Sequence, residues 1–252
     1  MESSSDMPDI VNCLIDSIDD SQHNDVTIML EDGGISASKL ILSQRSEYFR
    51  VMFSKNNRFK EEKESCVKLT TTKIIMTNIL EVIYGGTIEI SKFNCLQMLE
   101  FLNMLRLLCL FKSFAHYDNL LKKALQHRKY HLKECFKALQ EAYELKLEKA
   151  TNYIVMILAS KMDVCVNEYP EEIMNLSEEA ILLILEYIYK IERRHKLPFP
   201  SSMQMKKFNF IFKWVQKNEN TMRMEKAIFK YSTTSQENEC IKIKRSNNIS
   251  FF

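Results

Sequence analysis

The sequence predicts an α+β amino-terminal domain followed by an all-α domain, on three observations. Within Asp25 to Phe53 the hydrophobic period changes: Val26, Ile28 and Leu30 alternate with Thr27, Met29 and Glu31, whereas Leu40, Ile41, Tyr48, Phe49, Met52 and Phe53 recur at helical spacing. Four glycines and four prolines in 252 residues are too few for the many tight turns of an all-β design. Beyond Leu132, apolar faces recur at helical spacing with no convincing strand. With 46% apolar and 10% aromatic residues, the chain can bury two ordinary cores.

Taken in order, Pro8 to Ile18 puts Ile10, Val11, Leu14, Ile15 and Ile18 on one helical face, with Pro8 tolerated in the first turn. A strand follows from Val26, and Gly33-Gly34 is expected to turn into a short second strand, since glycine reaches positive φ without steric cost. Two helices then cover Lys39 to Ser43 and Ser46 to Phe53. After a charged stretch, Cys66-Val67-Lys68-Leu69 reads as a strand, and Ile74 to Ile83 as a helix capped by Gly85-Gly86. Thr87 to Ile90 is expected to be a strand, Asn94 to Phe111 one helix buried on several sides, and Leu120 to Leu125 another.

The words DVTIML, KLILS and SEYFRVMF, in that order and followed by Tyr84-Gly85-Gly86, resemble the BTB (POZ) domain, and the resemblance spans about Asp9 to Leu125. It implies a small mixed sheet wrapped by helices, and a two-fold dimer to which the leading helix contributes Ile10, Leu14 and Ile15. Asp25 and Lys39 match the acidic and basic members of the family's dimer pocket; Ser38 departs from it, standing where histidine is usual. Phe59-Lys60-Glu61 precedes the Val67 strand as the hydrophobic-any-glutamate motif does in adaptors that grip cullin-3. Carried over, this makes Phe59 an apolar anchor and Glu61 its polar partner, with Tyr48 and Met52 behind them. The loop before Phe59 is a couple of residues longer than the family's.

The second half continues in helices: Leu132, Cys135, Phe136, Leu139, Tyr143 and Leu147, then Ala150, Tyr153, Ile154, Ile157, Leu158 and Met162, read as an antiparallel pair. Ser177 caps a helix that opens with Glu178 and Glu179, where the dipole favours anions, and Arg193, Arg194 and Lys196 suit its other end. After Pro198 and Pro200 a last helix carries Met205, Phe208, Ile211, Phe212 and Val215, with Trp214 beside them. This order resembles, more loosely, the BACK domain that follows BTB in cullin-3 adaptors. The expected division is 9–125 BTB, 126–131 a basic junction, 132–218 BACK-like, and 219–252 a polar tail.

Other chemistry finds little support. Thirty-five basic against 33 acidic side chains give no global field for nucleic acid or membrane. The run QHRKYHLK is short for phosphate tracking, and His127 and His131, four apart, lack a third ligand, so neither nucleic acid nor metal is expected. Gly85-Gly86 lacks the Lys-Ser/Thr of a phosphate loop, and IKIKRS has too few basic residues for a nuclear address. Seven dispersed cysteines, without a CxxC pair, read as reduced buried thiols. No secretory signal or membrane span is visible, placing the protein in the cytoplasm, with the nucleus open. No nucleophile elbow or dinucleotide loop appears, so neither an enzyme nor a bound cofactor is expected. Kelch blades would need about fifty residues each, and none is expected in the few dozen that remain.

The expected function is therefore protein binding. By resemblance, the chain is a homodimeric adaptor or competitor on cullin-3, holding a substrate protein of unknown identity near a ubiquitin ligase. The alternative is a self-associating scaffold or corepressor platform, indifferent to Phe59, and pairing with another BTB protein is open to both.

Overall fold

The computed structural model describes residues 6–20, 22–54, 65–126 and 131–195, and the chain divides into two compact units, Met1–Lys123 and Ala124–Phe252. In the first, helix α1 (Asp6–Asp16) precedes a hairpin of β1 (Val26–Leu30) and β2 (Gly33–Ala37). Helices α2 (Lys39–Arg45) and α3 (Glu47–Met52) come next, then β3 (Cys66–Lys68) and α4 (Lys73–Ile83). The unit closes with α5 (Cys95–Leu107) and most of α6 (Phe111–Gln126). The sheet order is β2-β1-β3, with β1 antiparallel to β2 and parallel to β3, so the expected small mixed sheet is present.

Alternation decides which face of the sheet is buried. Val26 and Ile28 of β1, Ile35 and Ala37 of β2 and Val67 of β3 are buried, as are Phe49, Ile79, Leu80, Leu102 and Leu105 of the helices in the same unit. Pairing of Leu30 with Gly33 makes Glu31-Asp32 the two-residue loop. The glycines expected in the turn are therefore the first residues of β2, and Gly33 supplies its positive φ of 144° there. Asp32, freed to face the next element, accepts the Lys73 N–H at 2.6 Å and so caps α4.

Helix ends explain most departures from the expected elements. α4 stops as anticipated: Gly85 (φ 98°) donates to Val82 and Gly86 to Glu81. The same double bond pattern stops α5 early, with Cys109 at φ 57° donating to Arg106 and Leu110 donating to Leu105. One expected helix, Asn94 to Phe111, is thus α5, a corner and the start of α6, and the expected helix at Leu120 to Leu125 is the end of α6. Asn94 and Gln97 close a reciprocal capping box at its start. The strand expected at Thr87 to Ile90 does not form. Ile88 donates its N–H to the Tyr117 hydroxyl at 3.2 Å, and the chain enters a 3-10 turn at Ile90–Lys92.

In the second unit, α7 (Leu132–Glu144) and α8 (Glu148–Ser160) pack together across a short loop, which makes them antiparallel. Lys146, at φ 54°, turns that corner with the same two bonds, from Lys146 to Tyr143 and from Leu147 to Ala142. Two short helices the periodicity did not separate, α9 (Met162–Glu168) and α10 (Pro170–Met174), lead to α11 (Glu178–His195). The Ser177 hydroxyl accepts from Ala180 N–H at 3.2 Å, as its place before two glutamates suggests. The expected helix around Met205 to Val215 lies outside the described residues.

Candidate functional site

Two surfaces of the first unit carry those residues singled out by sequence that lie among the described ones. The first surrounds the start of α2. Its first N–H, that of Lys39, is taken by the Asp25 carboxylate at 2.7 Å, and the preceding Ser38 N–H by the buried Tyr84 hydroxyl at 3.0 Å. Asp25 and Lys39 are thus brought together, but through the Lys39 backbone; its ammonium sits 5.5 Å above the Phe53 ring. Burial pushes the Tyr84 phenol above its ordinary value, and the charge of Asp25 adds to this against the Ser38 hydrogen bond. The Ser38 side chain makes no capping bond, so the helix start is held by Asp25, just before β1, and Tyr84, just after α4.

Beside this junction lies an open groove of about 450 Å³, lined by Ile10, Cys13 and Leu14 of α1 and by Asn24, Ser38 and Ile41. The α1 residues divide between two tasks. A Cβ on Gly86 would come within 2.7 Å of Ile15 Cδ1, so Ile15 packs on the end of α4 within its own chain. Ile10, in contrast, is 59% exposed. Leu40, at the start of α2, is 69% exposed. Sequence periodicity missed Leu40 as a surface residue, because it counts apolar positions without showing which side of a seven-residue helix faces out.

The second surface is built on α3. Ser46 is 1% exposed and does two jobs: its hydroxyl accepts from Phe49 N–H at 3.3 Å and donates to the Leu108 carbonyl at 2.7 Å. That bond fixes the start of α3 against the α5–α6 corner, where Leu107 is exposed and Phe111 is 63% exposed. Phe49 is core, edge-on to Tyr48 at 5.3 Å and stacked on Phe53 at 5.8 Å. Tyr48 and Met52 are half-buried, and Val51 between them is exposed. Phe59 and Glu61, in the chain between α3 and β3, lie outside the described residues. Val51, Leu107 and Phe111 were not singled out by sequence, because nothing local to them signals that these large apolar side chains are exposed.

Little here resembles a reaction centre. The six cysteines of the described residues are free thiols; Cys95, Cys135 and Cys165 are buried, but Cys13 is exposed, against expectation. Burial pushes the Cys135 thiol up to about 11 and that of Cys165 to about 12, which leaves both protonated and poor nucleophiles. Among the described residues no three His, Cys, Asp or Glu side chains are grouped to hold a metal ion. No helix among them is long and apolar enough to cross a membrane.

Comparison with known proteins gives the BTB/POZ domain over residues 14–120. Over 77 residues the chain is 35% identical to Kelch-like protein 15 of Gallus gallus, and equally to those of Mus musculus and Homo sapiens. The aligned stretch is 30% of this chain, but 15% of the Gallus gallus protein and 12% of the other two. The similarity is therefore to a small part of each relative.

Proposed function

From the premise that residues 14–120 are a BTB/POZ domain, we propose that this protein is a protein–protein interaction adaptor. In this reading it works as a homodimer on cullin-3, holding a target protein near the ubiquitin-transfer machinery, or occupying the cullin as a competitor. Its contribution is proximity, so it needs no catalytic group. The observation that carries the proposal is the exposed apolar corner formed by Leu107 and Phe111, tied by the Ser46–Leu108 bond to α3, the helix that Phe59 and Glu61 follow in the sequence. Leu107 and Phe111 together leave apolar area at this corner for a protein partner to bury. Helices α7–α11 fit the BACK-like reading of residues 132–218, and targets would be recruited there or through a mixed dimer with another BTB protein. Such work places the protein in the cytoplasm or the nucleus.

A second reading, a self-associating scaffold or corepressor platform, is favoured by the groove lined by Ile10 and Leu14, together with the exposed Leu40 of α2. Replacing Phe59 and Glu61 together by alanine separates the two. The adaptor reading expects cullin-3 binding to disappear while the dimer persists; an unchanged cullin interaction, or an unchanged partner profile with no cullin in it, rejects it.

A further inference from the structure

The sheet order β2-β1-β3 leaves β2 as an edge strand, and an open edge is a template on which another strand can pair. Its outer side is not left open. Asp19, in the turn between α1 and β1, donates its N–H to the Ser36 carbonyl at 3.0 Å, and its Oδ1 accepts the Ser36 N–H at 2.9 Å. One residue thus occupies both backbone groups that Ser36 turns away from β1, as a neighbouring strand would. The other carboxylate oxygen, Oδ2, accepts from the Lys73 ammonium at 3.1 Å, at the first residue of α4. Asp19 makes these contacts at φ 64°, in left-handed backbone that a side chain enters only against strain. The Ser36 hydrogen bond, with Lys73, holds its carboxyl below the ordinary value in spite of burial, so the ionised form is the one that the edge selects.

We propose that Asp19 closes this edge against a second copy of the chain, whose own β2 would otherwise extend the sheet across both molecules. Alternation turns Gly34 to the same side as Ser36, and in a five-residue strand these two are the residues that face outward. A two-fold antiparallel pairing of β2 with β2, centred on Ile35, sets Gly34 of each copy opposite Ser36 of the other. Every hydrogen bond of that pairing uses the N–H or the carbonyl of a Ser36. With both groups already taken by Asp19, none of those bonds has its two partners free. The contact with Lys73 ties the guard to α4, so the turn after α1 cannot drift from the edge without breaking an ion pair as well. This role does not depend on the adaptor reading.

Sedimentation velocity of the full-length chain over a concentration series tests it. Asp19→Ala is expected to form species that exceed those of the parent and grow with concentration, while helical circular dichroism persists. Adding Ser36→Pro to Asp19→Ala is expected to restore the parent's stoichiometry, because proline removes the outward N–H without taking a bond from the ladder with β1. Hydrogen exchange at low concentration reads the contact itself, with the Ser36 amide expected to exchange about tenfold faster in Asp19→Ala than in the parent. Parent and Asp19→Ala proteins that sediment alike overturn the proposal. So does association that Ser36→Pro fails to reverse, which would trace it to unfolded chain, and so does a Ser36 amide that exchanges equally fast in both proteins.

Discussion

Leu40→Ala tests whether the proposed dimer rests on the face at the start of α2. Burying a leucine side chain fully is worth about 1.5–3 kcal/mol, and Leu40 is 69% exposed, leaving about 1–2 kcal/mol to be gained per copy. An isologous pair meets the residue twice, so the substitution is expected to weaken the dimer by about 2–4 kcal/mol, or roughly 30- to 1,000-fold. The folded monomer should hardly notice, because the side chain is already in water and alanine is the better helix former. Sedimentation velocity across a concentration series measures the association, and thermal unfolding of the monomer checks the fold. A Leu40→Ala protein that associates as tightly as the parent refutes the assignment of this face. A variant that loses association only because it unfolds refutes the claim that Leu40 is spare surface.

Three further outcomes follow from single groups. Ser46→Ala removes the α3 cap and orphans the buried Leu108 carbonyl, at about 2–4 kcal/mol together, so the unfolding midpoint should fall by about 4–15 °C; Ser46→Thr should recover part of it. Lys146→Gly relieves a side chain held at φ 54°, and relief of about 1–2 kcal/mol less the chain entropy of glycine leaves about 0.5–1 kcal/mol of added stability, read as a higher denaturant midpoint. Cys135 and Cys165 should resist alkylation at about pH 8 until the protein unfolds, whereas Cys13 reacts at once, as mass spectrometry of peptides would show.

Legibility divided along physical lines. Signals confined to a few neighbouring residues survived into the structure: the alternation of Val26 and Ile28, the Ser177 cap ahead of Glu178 and Glu179, and the Gly85 stop of α4. Corners made without glycine did not. Cys109 and Lys146 adopt left-handed backbone because the two hydrogen bonds at each helix end, and the buried Leu110 and Leu147 that follow, outweigh the local strain. No propensity marks those positions, so α5, the corner after it and Phe111 read as one helix. Thr87 to Ile90 alternates as a strand should, but a strand needs a neighbour, and Tyr117 took the Ile88 N–H first. At the surfaces, Asp25 and Lys39 were named by resemblance as dimer-pocket residues, and within the chain they meet only through the Lys39 N–H; Ser46, Leu40 and Phe111 were not singled out. Their roles come from contacts across 62 residues of sequence or from exposure, and neither has a local signature.

Size-exclusion chromatography with light scattering, on the chain alone and mixed with the amino-terminal domain of cullin-3, tests the central claim most directly. The adaptor reading predicts a dimer that takes up one cullin domain per copy. A dimer that leaves the cullin free contradicts it and returns Phe59 and Glu61 to ordinary surface.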